Sequence, residues 1–183
     1  TTFAIGAGVV SQLAVLASDV FNGGDASRGL LIGIRGVGTG LGPLIAMRYT
    51  HGQLSKVLTI CGFASLAFSG FYLVGAWMPT LWLTAIFVML AHLGGGAQWT
   101  LSSYGLQLRS PDHIRGRILA GDFALVTLML SLTSALAGLV SELYGVRQAI
   151  SGFACAAAIA SVIYIRATKR LRTQLQIQQD AEL

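Results

Sequence analysis

The sequence predicts an all-α, polytopic membrane protein with six transmembrane helices, and three observations carry that prediction. Of its 183 residues 54% are hydrophobic and only 10% charged, with a mean hydropathy of +0.70, a balance too apolar for a soluble domain. The apolar residues gather into six runs, 1–21, 29–47, 57–77, 80–108, 118–143 and 148–165. At about 1.5 Å per helical residue, each is long enough to cross a hydrocarbon core of about 30 Å with some tilt. The connections are short and rich in turn chemistry, as in Asn22-Gly23-Gly24 and Met78-Pro79, so successive helices are antiparallel neighbours in one bundle. Residues 1–168 are read as that bundle and 169–183 as a polar, partly helical tail acting as a solvated anchor.

In the first run Gln12 and Asp19, seven residues apart, share a helical face. Asp19 lies near the end of the run, where an acid costs little. Capping, or pairing with Arg28 or Arg35, is the structural reading; substrate or proton binding is the alternative.

The second run, GLLIGIRGVGTGLGPLIAM, puts Gly29, Gly33, Gly36 and Gly40 on one face and Gly38 and Gly42 on the opposite one. Interior glycines cost a soluble helix about 1 kcal/mol each, whereas in a bilayer small residues let backbones approach. Two small faces predict a helix squeezed between two neighbours. The phosphate-cradling alternative fails on spacing, because Leu41 and Pro43 stand where a G-x-G-x-x-G motif needs its third glycine, and no Walker lysine follows. Arg35 lies off the main stripe with Arg28 and Thr39 on its side. An arginine at mid-helix costs at least about 2.5–3.5 kcal/mol and marks a cavity, a partner or a pathway; a structural ion pair or snorkelling is the alternative.

Cys61 and Cys155 sit singly in the third and sixth runs, read as small core residues rather than a disulfide or metal ligands. In the fourth and longest run, whose last turns leave the bilayer, His92, Gly96, Trp99 and Ser103 share one face and Gln98 and Ser102 another. His92 and Gln98 are read as cavity-lining, with core hydrogen bonding the alternative. The fifth run carries Thr127, Ser131, Ser134, Gly138 and Ser141 as a small-residue packing stripe. Asp122 is placed about one turn into that helix, as a gate or a partner for the helix dipole.

A net charge of +5 raises the question of nucleic acid, but the cations lie in the gaps between spans, where topology puts them. With the first helix running outward, Arg48, Lys56, Arg109, Arg115, Arg117, Arg166, Lys169, Arg170 and Arg172 fall inside, against Arg28 and Arg147 outside. Both chain ends are then cytoplasmic. No His/Cys metal spacing, G-x-S-x-G elbow or helical carboxylate pair occurs, so neither an enzyme nor a cofactor or metal is expected.

The stretches ASDVFNGGDASRGLLIGIRGVGTGLGPLIA, GGGAQWTLSSYGLQ and PDHIRGRILAGDFAL, the last followed by AGLVSELYGVR, resemble the C-terminal six-helix half of a major facilitator superfamily transporter. The branch is the bacterial exporter-like one that includes siderophore and macrolide efflux proteins, and the likeness covers residues 1–168. The resemblance implies a twelve-helix carrier with substrate near the midplane between two halves that rock against each other. The leading expectation is then a secondary active carrier exporting a small organic molecule by proton antiport across the bacterial inner membrane, with Arg35, Thr39, Gln12, Asp19, His92 and Gln98 as the cavity residues and Arg35 and Gln98 the foremost of them. The loop 48–56 looks like the family's basic gating loop, with Arg48, Gly52 and Lys56 matching and the usual acid absent. That role passes to Arg115, Gly116 and Arg117 with Asp122. The abrupt opening TTFAIGAG, without initiating methionine or basic leader, is expected of a piece of a longer chain, so the implied partner is a matching N-terminal half. The rival reading is a non-transporting sensor or assembly subunit on the same helices.

Overall fold

A computed structural model describes residues 3–50 and 52–181. Thr1, Thr2, His51, Glu182 and Leu183 lie outside the described residues, and with them the start of the first run, one position of the loop 48–56 and the end of the tail. The chain is helical throughout, with no strand among the described residues. Its elements are α1 (Ala4–Val20), α2 (Asp25–Thr50), α3 (Leu54–Gly75), α4 (Leu81–Arg109), α5 (Arg115–Tyr144), α6 (Val146–Ala167) and α7 (Lys169–Ala181).

Helices α2 to α6 are long and apolar enough to cross a membrane, and α1 is a shorter apolar helix. The first run is therefore not a regular span. Phe3–Ala7 winds as a 3-10 helix, Gly8–Ser11 and Leu13–Val15 as α-helix broken at Gln12, and Leu16–Val20 as a π-helix. Close packing accompanies this irregularity. A Cβ on Gly6 would sit 2.7 Å from that of Ala157 on α6, and one on Gly8 the same distance from the Thr133 carbonyl on α5.

The remaining ends follow local chemistry. Asp25 opens α2 and takes Arg28 Nη1 at 3.4 Å. Gly52, at φ +74°, supplies the left-handed turn between α2 and α3 that side chains resist. Thr80 caps α4, its Oγ1 accepting from the Leu83 N–H at 3.4 Å. Gly145, at φ +96°, separates α5 from α6.

Helix α4 is the centre of one half of the bundle, packed extensively against α2 and α3, and α3 in turn packs on α6. Helices α1, α5 and α6 form the other half, and α5 barely touches α4. The seam between α2 and α4 is built on glycine, although only one of the two predicted faces takes part. A Cβ on Gly38 would lie 2.5 Å from the Met89 carbonyl, and Gly42 and Gly96 press on the Leu93 and Thr39 carbonyls. Pro43, inside α2, has no N–H to return to the Thr39 carbonyl four residues back, and Gly96 packs against that carbonyl. By contrast Gly29, Gly33, Gly36 and Gly40 meet nothing within 4 Å among the described residues. Their face is unoccupied among the described residues, where α2 packs most closely on α4.

The fifth-run stripe is also displaced. Ser131 is exposed and Gly138 meets nothing, while Thr133 and Ala137 are the buried residues that receive Gly8 of α1. Thr133 Oγ1 also reaches the Ala4 carbonyl at 3.3 Å. Since α1 approaches α5 from the Thr133 side, Ser134 is turned to a cavity instead. The tail differs from a solvated anchor as well. Leu175 is buried, and Arg172 donates to the Ile165 carbonyl at 2.7 Å and to Thr59 Oγ1 at 3.3 Å, so α7 folds back on α3.

Candidate functional site: a polar groove between the two halves

Because α4 and α5 scarcely meet, a groove runs between the α2–α4 pair and the α1–α5 pair. It has two adjoining cavities that share Ala4, Trp99 and Val126. The first, of about 390 Å³, is lined by Arg35 and Thr39 of α2, Phe68 of α3, His92, Gly96 and Trp99 of α4, and Leu130 and Ser134 of α5. The second, of about 460 Å³, is lined by Gln98, Ser103 and Gln107 of α4 and by Asp122 and Phe123 of α5. Both volumes lie in the roughly 300–1,000 Å³ range of small-molecule sites.

The first cavity is floored by a hydrogen-bonded set that crosses three helices. His92, only 5% exposed, has Nε2 at 2.8 Å from the Tyr72 hydroxyl and Nδ1 at 3.3 Å from Thr39 Oγ1. The roles follow from donor counting. Thr39 Oγ1–H donates to the Arg35 carbonyl at 3.0 Å, so the threonine oxygen is left to accept, and His92 Nδ1 carries the hydrogen. Nε2 is then the acceptor and Tyr72 O–H the donor. Phe68 stands edge-on to the imidazole at 5.4 Å between ring centres. Both ring nitrogens are thus committed within the protein.

Arg35 has no such closure. It lines the cavity half-buried, its Nε is out of contact with solvent, and no hydrogen-bond partner meets that atom. The two ion pairs among the described residues are Arg28–Asp25 and Arg115–Asp112, both local. Asp19 therefore does not take Arg28 or Arg35; it is exposed and accepts from Ser18 Oγ at 2.7 Å. Gln12 is 4% exposed and lines neither cavity, but its Nε2 donates to Ser11 Oγ at 3.2 Å, and Ser11 faces the Arg35 cavity. Its Oε1 is left unpartnered at the break in α1.

The basic end also rearranges the expectations. Arg115 binds Asp112 and donates to the Ser110 carbonyl at 3.3 Å, while Gly116 and Arg117 are exposed. Helix α5 already begins at Arg115, so Asp122 lies two turns in, not one, and faces the groove rather than the helix end. Arg48, Gly52 and Lys56 are exposed around the α2–α3 turn. Gln98 serves two spaces, since it also lines a third cavity of about 500 Å³ among α3, α4, α6 and α7. No metal-binding group of His, Cys, Asp and Glu occurs among the described residues.

Sequence reasoning missed Tyr72 and Asp112. A tyrosine in a buried apolar helix needs a partner for its hydroxyl, which was the available signal for Tyr72. For Asp112 it was the three-residue spacing to Arg115.

The fold is that of a polytopic helical membrane protein, with a cation on a groove between its halves. The chain belongs to the transmembrane secretion effector family of the major facilitator superfamily, whose sequence pattern matches residues 1–182. No curated protein and no solved structure gives a significant match.

Proposed function

We propose that this chain forms one wall of a secondary active carrier that exports a small organic molecule in exchange for protons. A matching six-helix half closes the groove from the other side, and rocking of the halves alternates access. The protein sits in the bacterial inner membrane with its basic end in the cytoplasm, as the distribution of arginine and lysine favours.

The observation that carries this reading is Arg35. An arginine at mid-span is costly, and here it lines a cavity with its Nε unpartnered, as in Arg115, Arg147 and Arg172, but without the Nη2 bond to a carbonyl that each of those three makes. A residue kept only for structure would be expected to have its charge met inside the protein. Asp122 lines the second cavity of the groove and places a carboxylate within reach of cargo.

The test is flux through the complete transporter in proteoliposomes with an imposed proton gradient. Arg35→Gln is expected to insert and fold but to lose most gradient-driven transport. Arg35→Lys should recover only part of it, since the planar fork is gone. Undiminished transport by Arg35→Gln at equal protein content would remove Arg35 from the site.

A further inference from the structure

We propose that the Arg35 cavity takes an amphiphilic organic anion: one oxyanion, such as a carboxylate, on an apolar body of about the size of a fused aromatic ring. This inference rests on the reading of the groove as a substrate wall and names the class of substrate.

The polar half of the argument is a count of acceptors. Arg35 presents a guanidinium with a buried, unpartnered Nε. Its polar neighbours in the cavity offer no charge to match it: Ser11 and Ser134 bring neutral hydroxyls, and the remaining groups are engaged. His92 Nε2 is taken by Tyr72, His92 Nδ1 is the donor to Thr39, and the Thr39 hydroxyl hydrogen goes to the Arg35 carbonyl. No carboxylate among the described residues lines this cavity; Asp122 lines the adjoining one, past Trp99. Asp25 is engaged with Arg28 and Asp19 with Ser18. An incoming oxyanion supplies the missing acceptor, in the planar, paired geometry that guanidinium favours. A cation would meet like charge, and a neutral ligand would leave the guanidinium unmatched.

The apolar half comes from the remaining walls. Phe68, Trp99, Val126 and Leu130 line the same cavity as Arg35 with ring and branched carbon. That lining suits a hydrophobic body and excludes a small, fully hydrated anion such as phosphate, whose desolvation it could not offset.

The test is calorimetric titration of the complete transporter in lipid nanodiscs with three probes on one ring: 1-naphthoate, 1-naphthamide and 1-naphthylmethylammonium. Naphthoate is expected to bind about tenfold or more tightly than the other two, the scale of a hydrogen bond to a charged group. Arg35→Gln should erase that preference and Arg35→Lys should keep part of it. Leu130→Trp, which fills the cavity and leaves Arg35 in place, should abolish naphthoate binding. The proposal is overturned if naphthoate fails to bind, if the ammonium probe binds as tightly, or if folded Arg35→Gln or Leu130→Trp binds naphthoate unchanged. Anion-selective binding by a protein that shows no flux would instead overturn the transport reading alone.

Discussion

Tyr72 on α3 donates its hydroxyl hydrogen to Nε2 of His92 on α4 at 2.8 Å, and the pair is buried to within a few per cent. The bond ties the two helices at the floor of the groove and holds the imidazole with Nδ1–H toward Thr39. Tyr72→Phe leaves a buried ring nitrogen unmatched, at a cost of about 1–3 kcal/mol. The complete transporter should therefore melt earlier in detergent. In a double-mutant cycle Tyr72→Phe with His92→Phe should lose less stability than the two single changes summed. Additive losses would show that the two residues do not act on each other.

The two glycine faces of α2 make opposite predictions. Gly42→Ala drives a methyl into the Leu93 carbonyl, while Gly36→Ala adds one where nothing stands within 4 Å in this chain. Gly42→Ala should destabilise by about 1–3 kcal/mol, the usual range for overpacking, and Gly36→Ala should cost far less. Thermal unfolding of the transporter separates them; equal losses would mean that the Gly36 face is packed as tightly as the Gly42 face.

Orientation is open to cysteine labelling. In a background without Cys61 and Cys155, cysteines at Lys56 and His113 should resist an impermeant thiol reagent added to intact cells, while those at Gly24 and Tyr144 should react; these four positions are exposed. Labelling at 56 with protection at 24 would invert the topology.

The docking of α7 gives a further test. Leu175→Asp combined with Arg172→Gln removes both the buried side chain and the two hydrogen bonds that hold α7 on α3 and α6. Amide exchange across Lys169–Ala181 should rise by at least about tenfold, since locally held segments exchange through their own opening. Unchanged protection would show that the helix is held by something else.

Much of the bundle is legible because bilayer thickness imposes a length and burial imposes composition. Runs near 29–47, 57–77, 80–108, 118–143 and 148–165 each lie within or beside a long helix. What enters only through three dimensions is the choice among faces. Gly33 and Gly42 are equally small, yet only Gly42 meets a backbone, because α4 lies on that side. Ser134 and Thr133 are adjacent hydroxyl residues, and one faces a cavity while the other packs on α1. Arg35, Thr39, His92 and Trp99 were each conspicuous as polar or amphipathic groups in apolar helices, and they converge on one cavity. Tyr72 joins them from α3, where the signal was a tyrosine hydroxyl in need of a partner and nothing in the sequence says that the partner is His92.

The mixed winding of α1 gives that element something a uniform helix lacks, which is more than one length. A 3-10 segment rises about 2.0 Å per residue and an α-helix about 1.5 Å, so rewinding the five residues Phe3–Ala7 as α-helix would draw that end in by about 2.5 Å. Gly6 and Gly8 lie against α6 and α5 along this stretch, and Ala4, Ala7 and Ser11 stand on the wall of the Arg35 cavity. A change of pitch there would carry Ala4 and Ala7 along the wall of the Arg35 cavity while Ser11, outside the rewound segment, stays in place, so that part of the wall would be reset without moving any long helix.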